Sequence, residues 1–568
     1  MWNLRLLMGT FVAPIGVAAA LVSVHAADSA EAPQSDPVAK LQAAAATDNV
    51  SEFGHWGNDP KNYKMWGTHS NRLIPIYTFG TKGAGKGVDL ESYTGANSRY
   101  RQADKIEELY GYDAPETLNP SAEYCDQTDI YRIQRAALDA GKKYVFLIVF
   151  DGMDWQTTRA AAIYKAGKVG YDSGRGTGLH FQDYKAGGTT QFGFMVTSPH
   201  NEGTDIDVNL QTVKNPGGEL RGGYSVERGG PNPWTPGTDK QYPISQPKDA
   251  AMRHAYTDSS SSATSMTAGI KTYNNCVNVD YAGVKVATIA HEAQREGYSV
   301  GAVTSVPISH ATPAASYAHN VHRDDYQDLT RDLIGVKSVA HPETPLPGLD
   351  VLIGGGYGHE VKGKDAKKIS AADTQGDNFV PGNLYLTDAD RDAVDVKNGG
   401  RYVFATRTPG RTGSDVLKEA TAKAISGKHR LFGFFGVGSG KGHLPFRTAD
   451  GKFDPVQGRA KAVESYTPED ISENPTLVDM AESAISVLSK NPKGFWLMVE
   501  AGDVDWANHN NNVDDSIGAT ISGDNAVKAV TDWVEKNSNW NESVVIVTAD
   551  HGHYLVIEKP ELLVPAAK

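Results

Sequence analysis

The chain reads as an α/β protein, a doubly wound and mostly parallel central sheet with helices on both faces, plus an N-terminal extension and loop insertions. Three observations predict this. The run Tyr144–Phe150 is apolar at every position, as expected of a strand buried on both faces. Comparable runs recur at Ser299–Thr304, Asp350–Ile353, Leu431–Phe435, Phe495–Val499 and Ser543–Thr548. Helical patterns fall between several of them, such as the stripe Leu477, Met480, Ala481, Ala484, Ile485 and Leu488 that follows the breaker Pro475.

Taken in order, residues 1–26 combine Arg5, an apolar run from Leu6 to Val24 and the small-residue ending Val24-His25-Ala26, which predicts a secretory signal peptide. From Ala27 to about Val50 the chain is rich in Ala, Ser, Asp and Gln without periodicity, and a mobile lead-in is expected. An N-terminal extension over 27–140 is aromatic and polar, with helices expected at Arg101–Tyr110 and Thr128–Ala140. The catalytic domain is placed at 141–568, with a Gly-, Pro- and Asn-rich insertion near 170–249 and a second, irregular one near 358–428.

Charge and cysteine usage exclude several classes. The 568 residues carry 55 basic and 68 acidic side chains, a formal charge of -13, and no Lys/Arg block that could track a polyanion. Nucleic-acid binding is therefore disfavoured, and no later run suits a membrane. The only two cysteines, Cys125 and Cys276, permit at most one disulfide and cannot build a cysteine zinc site.

Chemistry concentrates at strand ends, where α/β sheets collect function. Asp151 follows the first run, Glu500 closes another, Asp550-His551 a third, and the turn Ser309-His310-Ala311-Thr312 a fourth. One such Asp is ordinarily a helix cap, but four coincidences at one edge favour metal ligands. Asp505 and His509 are four residues apart and so share one helix face. The stretch Tyr256–Gly269, with Thr257-Asp258-Ser259 at its start, reads as a capped helix whose free N–H groups seat an anion. Alone it leaves a Ser-rich surface turn or linker as the lesser alternative.

Together these pieces resemble the alkaline phosphatase family of the bacterial and animal type. The likeness rests on Asp151-Gly-Met, Thr257-Asp-Ser-Ser-Ser-Ser-Ala-Thr, Gly269-Ile-Lys-Thr-Tyr-Asn-Asn, His310-Ala-Thr-Pro-Ala-Ala, Val321-His-Arg323, Gly354-Gly-Gly, Asn491-Pro-Lys-Gly-Phe, Glu500 to His509, and Thr548-Ala-Asp-His. The resemblance implies that Ser259 is the nucleophile and that Arg323, oriented by Asp258, clamps the phosphate. It implies two Zn2+ ions, one on Asp151, Asp550 and His551 and one on Asp505 and His509, with one Mg2+ on Asp151, Thr312 and Glu500. His310 and Trp506 match subgroups with His and Trp near the magnesium.

The function this implies is a secreted or periplasmic phosphomonoesterase working through a phosphoserine. Its partners would be small phosphate monoesters rather than nucleic acid or membrane, and a homodimer is allowed. A phosphodiesterase of the same superfamily is the alternative within enzymes, although Arg323 favours monoesters. A sulfatase is disfavoured, because no Cys/Ser-x-Pro-x-Arg is present. The family also supplies a second histidine to the Asp505–His509 zinc from a motif well beyond the Asp-His pair, and only residues 552–568 follow His551. His553, His443 and His254 are the candidate substitutes. A more open and weaker site, or a phosphate- or metal-binding protein with an impaired first zinc site, is the other reading.

Overall fold

Ten strands, in chain order β1 Ile74–Phe79, β2 Cys125–Asp126, β3 Tyr144–Phe150, β4 Gln191–Val196, β5 Ser299–Pro307, β6 Val351–Gly355, β7 Tyr402–Thr406, β8 Arg430–Phe434, β9 Phe495–Ala501 and β10 Ser543–Thr548, make one central sheet. Its order is β7-β8-β6-β5-β9-β3-β10-β1-β4-β2. The strands from β7 across to β10 pair in parallel. Only β1 runs against the rest, antiparallel to β10 on one side and to β4 on the other. The structure, a computed structural model, describes residues 36–216, 220–243, 254–370, 374–438, 442–460 and 462–565. The signal-peptide reading of 1–26 lies outside them.

Helices cover both faces, as the unbroken apolar strands require. Successive residues of a strand point to opposite sides, and β9 shows where each side goes. Phe495 packs at a tilt against Trp533 of the long helix Val513–Asn537, while the indole N–H of the next residue, Trp496, donates to Gln134 of helix Thr128–Asp139 at 2.8 Å. Among the described residues no helix is long and apolar enough to cross a membrane.

Several expectations for the connecting regions change. Residues 37–48 are not a mobile lead-in but a helix, capped by Asp36 and opened by Pro37, that buries Val38, Ala45 and Ala46. Its Ala-rich sequence hides the usual amphipathic stripe, because alanine is both a good helix former and a small core residue. The stretch assigned to an N-terminal extension contributes β1 and β2 to the central sheet, and everything from Asp36 on forms one compact unit. The region read as a 170–249 insertion likewise supplies β4, and the 358–428 region supplies β7 and helix Gly413–Gly427. The expected helices appear at Ala103–Tyr110 and Thr128–Asp139. Cys125 and Cys276 are both buried and unpaired.

Candidate active site and metal centre

The carboxyl ends of β3, β9, β10 and β5 bring Asp151, Glu500, the Asp550-His551 pair and Thr312 to one edge of the sheet. All five are buried. The helix Asp503–His509 that follows β9 adds Asp505 and His509, and the helix Ser259–Ala268 brings Ser259. All the metal ligands inferred from the sequence therefore meet at one edge.

Asp258 sits at the N-cap and accepts from the backbone N–H groups of Ser261 at 3.0 Å and Ser260 at 3.3 Å, which fixes the helix start. The same carboxylate accepts from Arg323 Nη1 at 2.8 Å. Burial opposes its ionisation, but Arg323 and the hydroxyl and backbone donors around it hold its pKa far below the usual carboxylate range. The three other serines of the run are spent on structure. Ser260 Oγ donates to Asp258 at 2.7 Å, Ser261 Oγ to Asn274 at 2.9 Å, and Ser262 Oγ to the Asp550 carbonyl at 2.8 Å. Ser259 Oγ alone faces the ligands, 3.1 Å from His551 Nε2.

His551 Nε2 also lies 3.3 Å from Asp151 Oδ1 and 3.4 Å from Asp550 Oδ2. Asp151 Oδ1 and Oδ2, Asp550 Oδ2, Glu500 Oε1 and Thr312 Oγ1 are buried with no hydrogen-bond partner. Buried polar oxygens are almost always satisfied, so this convergence of orphaned oxygens is the signature of a cation seat. Burial and then mutual repulsion push Asp550 up to about 7 and Asp151 well above its ordinary value. Burial, with Asp550 adding to it, pushes Glu500 up to about 8, although Thr304 donates to its other oxygen. A cation would reverse each of these shifts.

The second cluster holds a residue that sequence reasoning missed. His69 Nε2 lies 3.2 Å from His509 Nε2, and Asp505 Oδ1 is 3.4 Å from His509 Nε2 and 2.6 Å from His553 Nε2. His69, Asp505, His551 and His553 present donor atoms that all fall within 4.8 Å of one another. His69 Nδ1 lies 3.0 Å from the Thr257 carbonyl, and His509 Nδ1 lies 2.7 Å from the Gly67 carbonyl. A carbonyl can only accept, so in both rings the proton is on Nδ1 and Nε2 carries a bare lone pair. Burial lowers the pKa of both rings, which keeps them neutral. Two lone pairs facing each other at 3.2 Å repel unless a cation lies between them. The spacing matches the edge of about 3.3 Å expected for ligands about 2.0 Å from a tetrahedral zinc.

Two histidines, His553 and His69, stand at the Asp505–His509 cluster where the sequence left the third ligand open. His553 turns into this cluster as an extended strand end should, beside Gly152, where an added Cβ would fall 2.8 Å from the His553 ring. Of the other two candidates, His443 is drawn away by Glu464 at 3.0 Å and packs on Phe446, and His254 stacks on Tyr242. His69 is the addition. It precedes β1, and because β1 runs antiparallel beside β10, its entry lies at the edge where the parallel strands exit. The Ser70 N–H donates to the Gly552 carbonyl at 2.7 Å and locks that entry in place. The signal available in the sequence was a histidine just ahead of the apolar run Leu73–Phe79.

The fold and this site define an α/β protein with a serine set against a candidate metal centre. The family profile for alkaline phosphatase matches residues 226–562, more than half of the chain, and the chain belongs to the alkaline phosphatase family. Of the candidate nucleophile, clamp and ligand residues described above, the matched stretch contains all but Asp151 and His69, which precede it. Alkaline phosphatase 4 of Bacillus subtilis (strain 168) is 30% identical over 295 residues, 52% of this chain and 49% of its own length. Alkaline phosphatase of Escherichia coli (strain K12) is 28% identical over 327 residues, 54% of this chain and 60% of its own length. The chain therefore spans about half the length of the first relative and three fifths of the second. A cold-active alkaline phosphatase from Shewanella sp. aligns with 72% of this chain at 19% identity with a TM-score of 0.41, too low for the superposition to bear on the site.

Proposed function

We propose that the protein is an exported metal-dependent phosphomonoesterase that hydrolyses small phosphate monoesters through a phosphoserine on Ser259. The observation that carries this is the pair of facing, unprotonated imidazole nitrogens of His69 and His509 within reach of Ser259 by way of His551. Asp505, His509, His69 and His553 would hold one zinc, and Asp151, Asp550 and His551 the other. Asp151, Glu500 and Thr312 offer only oxygen, which suits Mg2+. Zinc at such sites supplies Lewis-acid charge that eases deprotonation of a hydroxyl and takes up charge on phosphoryl oxygens.

The remaining steps belong to the chain itself. The N-terminal end of helix Ser259–Ala268 presents backbone N–H groups and positive dipole to a phosphate beside Ser259. Arg323, held by Asp258 through one N–H, keeps its other donors for two non-bridging oxygens, a fork that favours a dianionic monoester over a diester. Ser259 Oγ then forms a bond to phosphorus as the bond to the leaving oxygen breaks, and the hydroxyl proton ends on the departing alcohol. Water attacks the phosphoserine next, the Ser259 Oγ–P bond breaks, and a proton returns to Ser259. A cleft of about 580 Å³ opens beside His509, walled by Phe446, Val463 and Trp506, and gives the leaving group an exit.

Turnover of p-nitrophenyl phosphate with added Zn2+ and Mg2+, set beside bis(p-nitrophenyl) phosphate, tests the reading. Faster turnover of the monoester, abolished by a chelator, is expected. Preference for the diester would make the protein a phosphodiesterase, and no turnover of either would leave a binding protein.

A further inference from the structure

A second group of metal-binding side chains lies apart from every residue used above. His319 follows helix Ala311–Ala315, Asp332 stands on helix Tyr326–Ile334, and His341 is in the loop beyond it. His319 Nδ1 is 3.1 Å from His341 Nε2, which is 3.7 Å from Asp332 Oδ2, and the three donor atoms fall within 4.8 Å of one another. We propose that His319, Asp332 and His341 form a further zinc-class metal site, structural in role, that clamps the loop after Ile334 to the segment leading into Arg323.

The geometry supports a cation over a simple hydrogen bond. His319 Nε2 lies 3.0 Å from the Val286 carbonyl, so its proton is there and Nδ1 is a lone pair. His341 Nε2 lies within hydrogen-bond distance of that nitrogen, and the Asp332 carboxylate oxygen, 3.7 Å away, adds a third ligand-type atom facing the same point. A metal ion satisfies all three atoms, and the two measured spacings straddle the tetrahedral edge of about 3.3 Å. Two imidazoles and one carboxylate are a borderline donor set suited to Zn2+ rather than Mg2+ or Ca2+. His319 and Asp332 are buried, while the His341 side chain keeps 15% exposure, which leaves the fourth position to water.

The surroundings are built to hold these groups. Asp332 is oriented by the Ser338 hydroxyl at 2.5 Å and the His319 N–H at 3.0 Å, and Lys285 ties down the Ala340 carbonyl beside His341. His291 stacks on His319 at 5.2 Å, and its buried Nε2 has no hydrogen-bond partner. Four residues after His319, Arg323 reaches Asp258, so anchoring this segment also anchors the phosphate clamp.

Co2+ binding to the full chain tests the site, in a background carrying Asp151→Ala, Asp505→Ala and His551→Ala together with His69→Ala, His509→Ala and His553→Ala so that the catalytic-edge ligands, its histidines included, are disabled. One Co2+ per chain with visible d–d absorption is expected to survive dialysis, and His341→Ala should remove it with an unchanged far-UV circular dichroism spectrum. No bound cobalt in the background chain, or cobalt unaffected by His341→Ala, would overturn the proposal. Should His341→Ala fail to fold, X-ray absorption on the background chain decides. A ligand shell containing two imidazoles supports the site, and a shell without imidazole overturns it.

Discussion

His69 Nε2 lies 3.2 Å from His509 Nε2 although 440 residues separate them in the chain. Each ring is fixed by a backbone carbonyl at its other nitrogen, so neither can turn away from its partner. On this geometry His69→Ala should weaken zinc at the Asp505–His509–His553 cluster by more than about 100-fold, since loss of a mere supporting hydrogen bond costs 10- to 100-fold. Zinc titration followed by activity measures it, with turnover recovering at high zinc. His443→Ala, whose ring is held by Glu464, should leave the titration where it was. Identical zinc affinity in His69→Ala would mean that the ring is structural.

A second expectation concerns the nucleophile. Ser260, Ser261 and Ser262 each have their hydroxyl committed to a fixed acceptor, whereas Ser259 Oγ faces His551. Acid quenching with labelled phosphate should put the label on Ser259, and Ser259→Ala should abolish both label and burst. Ser260→Ala should cost only the support that one hydrogen bond gives to Asp258, about 1 kcal/mol or several-fold in rate. Label recovered on Ser261 would show that the helix start has been misassigned.

The clamp can be tested by comparing substrates. Removing a bidentate, charge-assisted contact costs roughly 1.5–3 kcal/mol, about 10- to 150-fold. Arg323→Ala should lower kcat/KM on a monoester by that factor, and on a diester by less, because a diester offers one charge and fewer free oxygens. It should also release Asp258 from its strongest partner and raise that carboxylate's pKa, visible as loss of activity at the acid end of the profile. Equal losses on monoester and diester would remove Arg323 from its role.

The parallel strands β3, β5, β6, β8, β9 and β10 were legible in the sequence from unbroken apolar runs, and the candidate ligands from the acids and histidines at the ends of several of them, whereas β7, parallel as well, was taken for part of an insertion. The strand β1 was not legible, since Pro75 lies within it and proline argues against an interior strand. The structure tolerates Pro75 because the pairing of β1 with β10 ends at Tyr77, and Pro75 serves only as an acceptor, its carbonyl taking the Thr548 hydroxyl at 3.0 Å. Once β1 is missed, His69 has no strand to place it, and that member of the histidine cluster disappears with it. The helix at 37–48 escaped for a different reason, in that its buried face is built from alanines.

The last prediction turns on the carboxylates. In the metal-free protein burial and mutual repulsion raise Asp550 to about 7 and Glu500 to about 8. A group whose folded pKa is raised contributes stability that is complete below its unfolded pKa, near 4, and is lost as pH rises through the folded value. The histidines act the other way. Burial lowers His69, His509 and His551 in the folded state, so they cost stability below about pH 6.5 and nothing above it. The two contributions oppose each other between about pH 4 and 6.5, and only the carboxylates act between about pH 6.5 and 8. The chelated protein should therefore lose thermal stability across that upper window, while the protein loaded with Zn2+ and Mg2+, whose cations offset the same negative charge, should not. The gap in Tm between loaded and chelated protein, measured by calorimetry at low ionic strength, should widen from pH 6.5 to 8 and then level off. Asp550→Asn should narrow the gap and flatten its pH dependence. A gap that stays constant with pH in the unaltered protein would show that these carboxylates are not the seat of the cations.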